Sequence, residues 1–120
     1  MINILTKKVH NNAKEKGFYN NERNIGELLC LIHSEVSEAL EADRKDHFTQ
    51  KSVEEIINTP DEDYKEVFEA NVKNTFEDEL ADIVIRVMDL AGYKNIDLET
   101  HILAKLKYNS SREQKHGKKY

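Results

Sequence analysis

Two pairs of acids, Glu35 with Glu38 and Glu79 with Asp82, each stand three residues apart inside an apolar run of helical period. Side chains at that spacing leave the same side of a helix, so each run presents two carboxylates together. Counting about 100° per residue from Glu35 puts Leu28, Leu31, Ile32, Val36 and Ala39 at roughly +20°, −40°, +60°, +100° and +40°. Glu35 therefore lies inside the apolar stripe, and Glu38, at about −60°, on its edge. From Glu79, Phe76, Ile83, Val87 and Leu90 fall between roughly +20° and +80°, with Asp82 near −60° and Arg86 near −20°. An acid on a buried face is costly unless something replaces its hydration. Two carboxylates about 4 Å apart repel by about 4 kcal/mol at an effective dielectric of about 20, and four cannot all stay ionised unaided. A divalent cation removes that difficulty, and oxygen-only donors favour a hard ion such as Mg²⁺, with Mn²⁺ as a substitute. Either pair alone is also accounted for by an amphipathic helix whose acids line the boundary between core and solvent.

The elements that must position these acids are helical. A chain of 120 residues with 38% hydrophobic content is read as one domain with a modest core. Its 34% charged content, one proline and four glycines suit an all-α protein. The first helix is expected over Ile2 to Lys16, from Ile2, Leu5, Val9 and Ala13, with Gly17 as the stop. Phe18 and Tyr19 follow; Phe18 is a candidate base contact, although aromatics beside a helix end commonly pack on the core. The second helix starts at Asn24, with Glu27 in capping-box position, and runs to Lys45; on it Glu41 and His33 point off the stripe. From Asp46 to Thr75 the periodicity weakens. A short helix capped by Ser52 and ended before Pro60, and a further helical stretch over Asp61 to Val72, form a long helical insertion between the core helices that bear the acids. The next core helix is expected from Thr75 to Ala91, before Gly92, with Arg86 paired to Asp82 four residues earlier.

The last helix starts at Asp97 and is expected to bury Leu98, Ile102 and Leu106. Lys105, Asn109 and Arg112 lie along the edge of that stripe, where an ammonium, an amide and a guanidinium can hold phosphate oxygens. A solvated basic helix end matching the helix dipole is the plainer account of the same residues. Residues 110–120 are expected to form a flexible basic tail.

Formal net charge is −5, unevenly spread: from Lys105 onward there are six basic residues against one acid, and before it 12 basic against 22 acidic. An acidic site beside a basic end suits a metal-bound polyphosphate, and the net sign argues against a general nucleic-acid binder. No apolar run is long enough to cross a membrane, and the first residues lack the apolar segment of a signal peptide. The single Cys30, in the run Leu28 to Ile32, is expected to be a buried thiol, which fits a reducing cytoplasm. Ile85 and Met88, on the back of the third core helix, suggest a second packing surface.

The ordered set of motifs resembles the short members of the MazG-like, all-α nucleoside triphosphate pyrophosphohydrolases. It comprises Glu35-x-x-Glu38 within Leu31 to Ala42, Glu79-x-x-Asp82 within Glu79 to Arg86, and Lys105 to Arg112 with His116-Gly117-Lys118, covering most of Ile25 to Lys118. The resemblance implies a four-helix-bundle-like fold and Mg²⁺-dependent cleavage of a nucleoside triphosphate between its α and β phosphates. It also implies a homodimer or a dimer of dimers. Glu35, Glu38, Glu79 and Asp82 fall on the family's metal-ligand positions, and Lys105 and Asn109 where a late helix contacts phosphate. Ser34 stands where many relatives carry a further glutamate, and the 40 residues between Glu38 and Glu79 exceed the usual spacing. Glu38, nearer water than Glu35, is the candidate for aligning the nucleophilic water. A di-iron or di-manganese carboxylate bundle would call for histidine in the fourth position of two such motifs, and neither has one. A non-catalytic helical dimer with an acidic groove is the remaining alternative.

Overall fold

The computed structural model describes residues 1–112 and is all-helical among them, with six helices and no strand. They are α1 (Ile2–Glu15), α2 (Ile25–Arg44), α3 (Val53–Ile57), α4 (Asp61–Asn71), α5 (Phe76–Tyr93) and α6 (Leu98–Ser110). No described helix is long and apolar enough to cross a membrane. The helices group into two compact units, one of residues 19–87 and one made of residues 1–18 together with residues 88–112. The motif His116-Gly117-Lys118 and most of the expected basic tail lie outside the described residues; Ser110 closes α6.

In the unit of residues 19–87, α2 opens where the sequence places it: the Asn24 side chain accepts from the Glu27 amide at 3.2 Å. The reciprocal half of a capping box is replaced by an ion pair, Arg23 Nη2 to Glu27 Oε1 at 2.7 Å. The buried positions of α2 are Leu28, Glu35, Ala39 and Ala42, which all fall within roughly 40° of Glu35 on a 3.6-residue helix. Two alanines on that face allow close approach of whatever packs there. Val36 is about half exposed, and Cys30 is exposed rather than buried. Both corrections have one cause: counted from Glu35, Val36 falls at about +100° and Cys30 at about −140°, outside the buried arc.

The stretch of weak periodicity contains α3 and α4, which pack on one another. Ser52 caps α3 through the Glu55 amide, and Pro60 immediately precedes α4, which contains no fully buried residue. Residues 47–49 are tied to the start of α5. The Phe76 amide donates to the His47 carbonyl at 2.8 Å. The Thr49 and Thr75 hydroxyls lie 2.9 Å apart, the Thr49 amide donates to the Glu77 carboxylate at 3.2 Å, and the Phe48 and Phe76 rings are 5.5 Å apart. Thr75, the most buried side chain at 2% exposure, also accepts from the Asp78 amide at 3.3 Å, while Asp78 accepts in return from the Asn74 amide. Asn74 takes the left-handed conformation this turn requires, with φ of 66°.

In the other unit, α1 ends at Glu15, one residue short of the expected Lys16, and Gly17 just beyond it has a φ of 84°, which suits a residue without Cβ. Its N-terminus is fastened to α6: the Met1 ammonium pairs with Glu99 at 2.7 Å and the Asn3 amide group donates to Asp97 at 2.7 Å. Asp97 also caps α6 through the Thr100 amide. On α6 the expected buried stripe is not buried: Leu98 is half-buried, and Ile102 and Leu106 are exposed. Met88, read from sequence as part of an outer surface, is a core residue at 5% exposure.

Helix α5 does not stop at Ala91 but continues to Tyr93, with the left-handed residue at Asn95. Gly92 serves a different need. A Cβ there would lie 2.6 Å from the Cβ and 2.9 Å from the Cγ of His10, whose Nδ1 lies 2.9 Å from Asp89 Oδ1. Those atoms sit near the α1 backbone and cannot swing aside. Gly92→Ala is therefore expected to lower stability by about 1–3 kcal/mol through overpacking, overriding the gain of about 1 kcal/mol that the change brings in an open helix. A urea melt of the variant beside the wild type checks the sign.

Candidate metal centre

Glu35 comes from the middle of the buried face of α2, and Glu79 and Asp82 from the first turns of α5. One carboxylate oxygen from each lies within 4.8 Å of the others. Glu35 and Glu79 are buried, at 7% and 5% exposure, and Asp82 is half-buried. Glu38 is exposed, as its place on the stripe's edge predicts, and stands within hydrogen-bonding reach of Glu35 and Glu79. The two motifs thus converge with Glu38 as the solvent-side member.

Arg86 does not make the expected pair with Asp82. Its Nε donates instead to Glu35 Oε1 at 2.7 Å, joining α5 to α2. The helical-wheel position held the signal, since Arg86 lies about 20° from Glu79 on the side of Asp82 and so faces the same partner helix.

The four acids divide their charge unevenly. Burial pushes the Glu35 carboxyl up, but hydrogen bonds with Glu38, Arg86 and Glu79 and the Arg86 charge outweigh it, so its pKa lies below the ordinary carboxylate value. Glu79 is raised to about 7, first by burial, then by its hydrogen bond with Glu35 and the surrounding negative charges. Glu38 is raised by its hydrogen bond to Glu35 and by that carboxylate's charge. Asp82 is raised by burial, then by the charges of Asp78 and Glu35. Glu79 Oε2 is buried with no hydrogen-bond partner. An acceptor left in that state costs about 1–3 kcal/mol, and a cation among the three carboxylates would satisfy it.

The other sequence-selected residues belong to the second unit. Lys105 and Asn109 are exposed on α6 and Arg112 is half-buried just beyond it. Lys105 Nζ and Arg112 Cζ lie 4.9 Å and 5.0 Å from the centroid of the Tyr108 ring. Tyr108 went unnoticed in the sequence, although its place three residues from one cation and four from the other was the available signal. Phe18 is half-buried beside Gly17. No protein-family model, characterised protein or solved structure matches the chain.

Because Glu79 binds its proton more tightly when folded, its contribution favours the fold below its unfolded value near 4.5 and is lost as pH rises to about 7. Glu79→Gln is accordingly expected to be more stable than the wild type at pH 8 without divalent ions, by about 1–3 kcal/mol. The gap should close toward pH 5; chemical denaturation at the two pH values measures it.

Proposed function

We propose that this chain is a Mg²⁺-dependent nucleoside triphosphate pyrophosphohydrolase, releasing a monophosphate and pyrophosphate, with a role in housecleaning of the nucleotide pool. The observation that carries the reading is the convergence of Glu35, Glu79 and Asp82, one of which, Glu79, has a buried oxygen with no hydrogen-bond partner. The ordered motifs that contain these acids and resemble the MazG-like enzymes point to the same chemistry. The donor set fits a hard divalent ion, being all carboxylate, partly desolvated and bearing more negative charge than it can hold ionised. Glu35, Glu79 and Asp82 would hold the ion, with Glu38 at its margin. When bound, Mg²⁺ supplies positive charge to the phosphate oxygens and lowers the pKa of water at the site.

The chain's own residues then have separate tasks. Glu38 is exposed and its pKa is raised, which suits a carboxylate that aligns water and accepts its proton. Water adds to a phosphorus of the α–β bridge, its proton passes to Glu38, and the bond to the bridging oxygen breaks to release pyrophosphate. No covalent nucleophile is needed. Lys105, Asn109 and Arg112 are the phosphate contacts in this reading, and Phe18 the base contact.

The same reading includes a homodimer or a dimer of dimers. On α2, Leu29, Val36 and Leu40 are exposed, and on α5 so are Leu80 and Val84. Each set falls between about +100° and +140° from the central acid of its helix, giving two apolar stripes that a second copy can cover. Sedimentation at micromolar concentration is expected to return a dimer for the wild type and a monomer for Val84→Glu.

Pyrophosphate release across ribo- and deoxynucleoside triphosphates tests the activity. The wild type is expected to turn over with Mg²⁺ and to melt at a higher temperature in its presence, and Glu79→Gln to lose both responses. Glu38→Gln is expected to keep the metal-dependent stabilisation while turnover falls about 10²–10⁴-fold. Absence of both metal stabilisation and pyrophosphate release in the wild type would leave the non-catalytic acidic groove as the better description.

A further inference from the structure

We propose that Arg86 is a positioning residue that grips Glu35 from the opposing helix and keeps its carboxylate turned into the acid cluster to receive a divalent ion. The inference rests on the metal-centre reading above and assigns a role within it that the four-acid motif does not contain.

The argument begins with an asymmetry in the cluster. Glu79 and Asp82 both rise from α5, three residues apart, so helix geometry fixes them relative to one another. The third converging carboxylate, Glu35, comes from α2. It has three rotatable side-chain bonds and faces two other acids, and repulsion between like charges favours rotamers that turn it away. Once the neighbouring acids are ionised, as holding a cation requires, their hydrogen bonds to Glu35 are gone and what opposes that rotation is the 2.7 Å hydrogen bond from Arg86 Nε to Glu35 Oε1, between residues 51 apart in sequence. The Glu35 side chain is 9% exposed and that of Arg86 35%, so the contact is sheltered on the carboxylate side and open to solvent on the guanidinium side.

Arg86 stands four residues after Asp82 and seven after Glu79, on the same side of α5. One helix therefore carries two of the ligands and the cation that orients the third. The grip leaves room for an ion: Nε occupies one acceptor site on Oε1, while Oε2 and the second lone pair of Oε1 are free of that bond. This is the arrangement in which an outer partner orients a ligand without displacing the metal, and loss of such partners typically weakens metal affinity by about 10–100-fold.

Binding of Mn²⁺ alone, without nucleotide and followed by its electron paramagnetic resonance signal, tests the role separately from turnover. Arg86→Gln is expected to bind Mn²⁺ at least about tenfold more weakly than the wild type. Arg86→Lys, which keeps the charge but not the planar fork, is expected to recover part of the loss. Wild-type affinity in Arg86→Gln would overturn the proposal, since a merely structural ion pair would change the melting temperature and leave metal affinity in place. Should Arg86→Gln fail to fold, Arg86→Lys decides: reduced affinity supports the role and wild-type affinity overturns it. Failure of the wild type itself to bind Mn²⁺ would bring down the metal-centre reading and this inference together. Wild-type binding that is unaffected at position 86 would remove only the role of Arg86.

Discussion

Two glutamates from different helices, each at least nine-tenths buried, are brought together away from water. That confrontation is the condition around which the unit of residues 19–87 is organised. Two fully charged carboxylates in such surroundings would repel one another and forfeit hydration. The protein divides the burden instead. Glu35 keeps its charge against Arg86, Glu79 holds a proton up to about pH 7, and Glu38 remains in solvent. Small residues, Ala39 and Ala42, occupy the same face of α2 as Glu35, so the acids are embedded in the packing rather than hung at its margin.

Rigid helical placement gives this centre its character. A site built on helices inherits their rise and rotation, so the spacing within each motif becomes a fixed distance and only the registry between helices remains to be set. That registry depends on the His47, Thr49 and Thr75 contacts at the start of α5 and on the Arg86 link one to two turns beyond its acids.

Much of this was legible in the sequence, because a helix converts spacing into direction. The all-α class, the caps at Asn24, Ser52 and Asp97, and the burial of Glu35 and Glu79 all follow from residue type and period. The positions that differ do so for separate reasons. Cys30 lies in an apolar run but at an angle outside the buried arc, and Val36, counted with the stripe at about +100°, also falls outside it because the buried residues lie only within about 40° of Glu35. Asp82 stands four residues before Arg86 at ion-pairing distance along a helix, whereas the actual partner comes from another helix, which local spacing cannot disclose. Gly92 resembled a helix stop, but its small size answers the proximity of His10, a contact made across 82 positions. Ile102 and Leu106 have the period of a buried stripe, yet period says which residues share a face and not whether anything covers it.

The ties at the entrance of α5 have a further meaning for how this chain can vary. His47 bonds to Phe76 and Thr49 to Thr75, so the backbone leaves for α3 and returns from α4 through a single stapled neck. The excursion is also rooted on its inner side: Ile56 of α3 and Val72 at the end of α4 are core residues, and the Val72 carbonyl accepts from the Thr75 hydroxyl at 2.7 Å. Its freedom to vary therefore lies in outward positions such as Val53 and Ile57, which are exposed. New surfaces can be tried there while the inner residues keep the start of α5 in place.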